Sequence, residues 1–155
     1  MKRESVWDYP RPPRLEPTTR RIRVVFAGVV IADSTRALRL LETSHPPTYY
    51  IPPDDVQTQF LSASTNKSFC EFKGAASYWN LSANDKSSLN AAWSYGAPAP
   101  RYAALKDYLA FYASRVDACY VDDEKIVPQD GDFYGGWITS DIEGPFKGGK
   151  GTWGW

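Results

Sequence analysis

Arg21-Ile22-Arg23-Val24-Val25-Phe26-Ala27-Gly28-Val29-Val30-Ile31-Ala32 reads as a β-hairpin in the sequence itself. Ile22, Val24 and Phe26 alternate with Arg23 and Val25, which gives a strand one apolar face. Ala27-Gly28 offers a tight turn back into Val29-Val30-Ile31-Ala32. The composition points the same way: 6 Trp, 10 Tyr and 7 Phe in 155 residues favour strands and pocket walls over helices.

At 17.4 kDa the chain has the length of one domain with a core of its own. Lys plus Arg equals Asp plus Glu at 18 each, so net charge gives no reason to expect nucleic acid. Charge is uneven along the chain. Arginines crowd residues 1–23 and acids crowd 117–132, a pattern of solvated surface. Cys70 and Cys119 stand far apart without a CxxC pair, so the cysteines signal neither zinc nor a disulfide framework, and no metal or cofactor is expected. With no run of about 18 apolar residues, a cytoplasmic protein that does not enter a membrane is expected.

Four prolines between Pro10 and Pro17 make residues 1–20 an extended arm, with Trp7 and Tyr9 as its anchors. Asp33 or Ser34 then caps an expected short helix with Ala37, Leu38, Leu40 and Leu41 as its stripe. Strands are expected at Thr48–Ile51, Val56–Leu61, Ser68–Phe72, Ala75–Leu81, Leu89–Tyr95, Leu109–Tyr112 and Arg115–Val121, with a helical turn or two over Tyr102–Asp107. Period two sets Leu89, Ala91, Trp93 and Tyr95 on one face, and sets Cys70 opposite Glu71 and Lys73. The whole is expected to be mainly β, a single compact antiparallel β domain with one or two short helices. A core domain spans 21–130, and a Gly/Trp-rich extension, 131–155, packs on it through Trp137, Phe146, Trp153 and Trp155.

Several blocks occur in an order that resembles a known family. Gly28-Val29-Val30-Ile31-Ala32-Asp33-Ser34, Leu41-Glu42-Thr43, Tyr49-Tyr50-Ile51-Pro52, Cys70-Glu71-Phe72-Lys73-Gly74-Ala75-Ala76-Ser77-Tyr78 and Trp93-Ser94-Tyr95 are similar to the bacterial domain of unknown function 427 family. The closing Phe133-Tyr134-Gly135-Gly136-Trp137 and Gly144 to Trp155 resemble an extension of actinobacterial-type members. The resemblance implies a β-tent domain, similar to methionine sulfoxide reductase B and the thalidomide-binding domain of cereblon. Their zinc does not carry over, because this chain lacks the paired CxxC motifs. The family also bears a nucleotidyltransferase-like label, which sets no catalytic residues.

Among chemical motifs, Gly144 to Thr152 imitates a P-loop but places Gly151 where the Mg²⁺-binding hydroxyl belongs. Cys70 beside Lys73 suggests an activated thiolate, which strand alternation opposes. His45, three residues after Glu42, has a spacing that can ligate metal on a helix, but the pair alone is one half of a site, and a histidine near a helix C-terminus is stabilised by the dipole without any function. The set expected to bind ligand is Lys73, Glu42, Tyr50, Trp93 and Tyr95: a cation, an acid and stacking rings for a small planar or anionic molecule. The alternatives are a nucleotidyltransferase-like enzyme and an interaction protein using the aromatic extension. A monomer or homodimer fits either.

Overall fold

The computed structural model describes residues 3–131, 133–152, 154 and 155; the expected anchor Trp153 lies outside the described residues. In chain order the strands are β1 (Glu4–Ser5), β2 (Arg14–Pro17), β3 (Ile22–Phe26), β4 (Val29–Ser34), β5 (Leu38–Leu41), β6 (Thr48–Tyr50), β7 (Leu61–Cys70) and β8 (Gly74–Ala83). They continue as β9 (Lys86–Ser94), β10 (Ala110–Phe111), β11 (Ala118–Val121), β12 (Glu124–Lys125), β13 (Val127–Pro128), β14 (Trp137–Ile138) and β15 (Ile142–Glu143). The fold is mainly β. Its helical turns, among them Pro100–Leu105, are all of the 3-10 type among the described residues.

The opening hairpin forms as the alternation requires. β3 pairs antiparallel with β4, and Ile22, Val24 and Phe26 are buried. Ala27 and Gly28 both take positive φ, 52° and 77°, the backbone of a turn whose twist matches that of the strands it joins. Asp117 Oδ2 accepts from the Ala27 N–H at 2.6 Å, and Asn84 Nδ2 donates to the Ala27 carbonyl at 2.8 Å, so both polar groups of the turn are held.

Two four-stranded antiparallel sheets, ordered β12-β11-β3-β4 and β10-β9-β8-β7, supply most of the scaffold. A three-stranded sheet, β2-β5-β6, lies against both cores. Alternation on β6 decides what it joins. Tyr49 enters the larger core with Ile22, Phe111 and Trp137, whereas Tyr50 enters a second, aromatic core with Trp93, Tyr95, Tyr102 and Tyr112. The site forms at that second core.

Three local expectations need correction. Residues 38–41 are strand β5, not a helix: Arg39 faces Glu16 on β2 and donates to it at 2.7 Å. Ser34, expected to cap that helix, instead donates to Asp55 at 2.7 Å and accepts the Arg36 N–H at 3.0 Å, closing a turn. Apolar spacing over nine residues fits either period, and a partner strand more than twenty residues away selected the extended form. Val56–Leu61 is likewise not one strand, because Val56 makes a lone bridge to Ala32 and Thr58–Phe60 is a 3-10 turn before Leu61 opens β7.

Leu89 does not share a face with Ala91, Trp93 and Tyr95. It is 70% exposed. The pairing of β8 with β9 slips between Trp79 and Leu81, and Asn90 bulges at φ 54°, donating its N–H to Asn80 Oδ1 at 2.9 Å. A bulge resets the side-chain parity, so Ala91 and Ala92 are both buried while Leu89 turns to solvent.

The segment after β13 returns to the body through specific bonds. Trp137 donates its backbone N–H to Pro47 at 2.8 Å and its indole Nε1–H to the Phe111 carbonyl at 3.0 Å. Tyr112 donates its hydroxyl to the Phe133 carbonyl at 2.8 Å, and Trp7 donates its indole N–H to Pro145 at 2.9 Å. These contacts put residues 133–135 beside the aromatic core.

Candidate functional site

The turn between β7 and β8 starts the site. Glu71, Phe72 and Lys73 leave the strand, Gly74 takes φ 110°, and the Lys73 carbonyl accepts the Ala99 N–H at 2.9 Å, which fixes the turn against the loop after β9. A Cβ on Gly74 would make only an ordinary contact with the Ala97 carbonyl, at 3.4 Å, so it is the positive φ that favours glycine there. Because residues 71–73 form a turn, strand alternation does not separate Cys70 from Lys73. Both line one pocket, together with Glu71.

That pocket has a volume of about 280 Å³ and brings together all five residues expected to bind ligand. Lys73 comes from the turn, Glu42 follows β5, Tyr50 ends β6, Trp93 lies on β9 and Tyr95 just beyond it. The rings form a packed floor. Tyr50 meets Trp93 edge-on at 6.2 Å between centroids and Tyr95 at 6.3 Å, while Trp93 lies 4.5 Å from Tyr112. The Lys73 ammonium is 5.9 Å from the Tyr95 ring centroid, within cation–π range.

Burial works against the charge on Lys73, whereas the electron-rich groups around it, Tyr95, Cys70 and the Glu42 carboxylate, favour it, and its pKa lies above the ordinary lysine value. Lys73 therefore stays cationic at neutral pH. Burial also pushes the hydroxyls of Tyr50 and Tyr95 up, so both remain protonated and able to donate. A fixed cation beside neutral hydroxyls and ring faces suits a flat anion.

Glu42 is the acid of the set. Its Oε2 lies 3.6 Å from Arg11 Nε and 3.9 Å from His45 Nδ1. The Glu42/His45 spacing, expected on a helix, thus brings the pair close on an irregular segment. His45 Nδ1 lies 2.9 Å from the Thr43 carbonyl, which requires the proton on that nitrogen and leaves Nε2 to accept in the neutral ring.

Burial lowers the His45 pKa below its usual value, against the opposing pull of Glu42. A folded-state pKa below the unfolded one means that the unfolded chain binds the proton more readily. The contribution is present above the unfolded value, about 6.5, and is lost as the pH falls below it. We expect the urea midpoint to drop between pH about 7.5 and 5.5, and His45→Gln to flatten that drop. An equal drop in the variant would assign it to other groups.

Other wall residues were not anticipated from the sequence. Gln129, Phe133, Tyr134, Gly135 and Lys147 line the pocket from the C-terminal segment, and Ser68 and Tyr78 line it from β7 and β8. The nearest sequence signal was the glycine pair at 135–136 between aromatics. Its use is spatial: a Cβ on Gly135 would lie 2.2 Å from the Trp93 ring, so only glycine lets the segment rest on that indole. Phe69 and Phe133, 73% and 62% exposed, stand at the pocket as apolar lining open to solvent.

No helix among the described residues is long and apolar enough to cross a membrane. Comparison with curated proteins gives no match. A family match covers residues 14–122, from β2 through the turn after β11, and includes Glu42, Tyr50, Cys70, Lys73, Trp93 and Tyr95. The chain belongs to the family described as a domain of unknown function, DUF427.

Proposed function

We propose that this chain binds a small planar anion, with the charge at Lys73 and the flat face against Tyr50, Trp93 and Tyr95. The observation that carries the reading is the setting of Lys73: partly buried, held cationic, and in no carboxylate ion pair among the described residues. An ammonium kept charged without a counter-ion in contact is suited to receive one from a ligand. The two four-stranded antiparallel sheets also suit the β-tent arrangement implied by the family resemblance.

A nucleotidyl-transfer reading has less support. Metal-dependent transfer uses clustered carboxylates free to hold Mg²⁺. The acidic turns of this chain are occupied with arginine: Asp55 pairs with Arg36 at 2.8 Å and Asp122 with Arg20 at 3.0 Å.

Aromatic carboxylates, nucleotides and neutral analogues of matched size, screened by thermal shift, test the proposal. Anionic flat molecules should raise the melting temperature, and Lys73→Ala should weaken the best of them by about tenfold or more while leaving unfolding unchanged, since a charge-assisted hydrogen bond contributes about 1.5–3 kcal/mol. Unchanged affinity in the variant would remove Lys73 from the role. A preference for neutral analogues would remove the anion.

A further inference from the structure

The pocket holds two separate cationic positions, and only one of them lies within the part of the chain matched to the family. Lys73 belongs to the first, with Tyr95 and Cys70. The second is built by the C-terminal segment: Lys147 Nζ lies 5.4 Å from the Tyr134 ring centroid, and the same ring meets His45 edge-on at 5.1 Å.

The second position is anchored through the backbone. Lys147 donates its N–H to the Ser44 carbonyl at 2.8 Å, and its own carbonyl accepts from Gln129 Nε2 at 2.7 Å. Gln129 is itself buried and fixed, since its Oε1 accepts the Gly136 N–H at 3.1 Å. The Lys147 ammonium donates to the Trp155 backbone oxygen at 3.1 Å, and with three N–H groups it has two more to give.

Trp93 joins the two positions. On one side it meets Tyr50, which in turn meets Tyr95; on the other, Gly135 sits directly on its ring, one residue from Tyr134. Both lysines line the one pocket, so a small molecule held there meets a cation from the β7–β8 turn and another from the C-terminal segment. The acids of the pocket do not cancel this arrangement. Glu42 is paired with Arg11 at 3.6 Å and Glu71 is exposed. Size agrees as well. A cavity of about 150 Å³ takes a benzene ring, and about 280 Å³ leaves room for substituents at two positions.

We infer that the pocket is selective for planar dianions, one anionic group at Lys73 and the other at Lys147, with the C-terminal segment setting the selectivity. The inference rests on the reading of this pocket as an anion-binding site.

Calorimetric titration of the full chain with benzoate and with benzene-1,3-dicarboxylate tests it. The wild type should bind the dicarboxylate about tenfold more tightly, the gain of one further charge-assisted hydrogen bond. Lys147→Met should bring the two ligands to within about twofold of each other by weakening the dicarboxylate, and Lys147→Arg should keep the preference. Equal binding of both anions by the wild type, or an undiminished preference in Lys147→Met, would overturn the inference and leave the anion site standing. Binding of neither anion would overturn the anion site, and the inference with it.

Discussion

Trp137→Ala should lower the unfolding free energy by about 3–5 kcal/mol, measured by urea denaturation, the range for emptying a large aromatic from a core. Trp137 is 1% exposed, and its ring lies 5.3 Å from Tyr49 in the larger cluster. Truncation removes that packing and also leaves the Phe111 carbonyl without its indole donor. Trp137→Phe separates the two effects. It keeps a ring but loses the donor and part of the indole volume, so an intermediate loss of about 1–3 kcal/mol is expected. A change under about 1 kcal/mol for the alanine variant would mean that the C-terminal segment contributes little to the fold.

Gly135→Ala is expected to reduce ligand affinity and stability together. The added Cβ would meet the Trp93 ring at 2.2 Å, closer than atoms can approach, so one of the two must move. Trp93 has little room, with Tyr112 behind it at 4.5 Å and Tyr50 across its edge. The segment must therefore lift, or the ring must turn into the pocket. Overpacking of this kind costs about 1–3 kcal/mol. The readouts are the urea midpoint and the affinity for whichever anion the thermal screen selects. Gly151→Ala is the control, since no atom lies within 4 Å of a Cβ at that position; its φ of 85° carries backbone strain alone. If Gly135→Ala matched the wild type in both readouts, the close approach to Trp93 would not matter to the site.

The mainly β fold was readable where the pattern was local. Ile22, Val24 and Phe26 alternate with polar or smaller neighbours, Ala27-Gly28 suits a turn of positive φ, and the hairpin formed as the sequence indicates. Reading failed where pairing was distant. Leu38, Leu40 and Leu41 fit a helical stripe, but β2 offered Arg39 a carboxylate and the backbone a ladder, and the segment became β5. The same holds for Leu89, whose place outside the core depends on the bulge at Asn90 and on Asn80 filling the gap it leaves.

The site divides in the same way. Residue type sufficed to select Lys73, Glu42, Tyr50, Trp93 and Tyr95, because a lysine and a glutamate among clustered rings are the materials of a pocket. Their meeting in one pocket is a fact of the fold. Cys70 was set on the wrong side because alternation was carried past the end of β7, where the chain turns. Lys147, Tyr134 and Gly135 gave no sequence signal that linked them to Lys73.

By itself, the sequence determined the hairpins, the aromatic character of the interior and the chemistry available for a site, since alternation, turn residues and side-chain type act over a few residues. Only the tertiary structure decided that β5 is a strand, that Cys70 faces the same pocket as Lys73, and that the C-terminal segment forms its second wall. Those outcomes depend on partners tens of residues away, whose contacts are made only when the sheets and the closing segment come together.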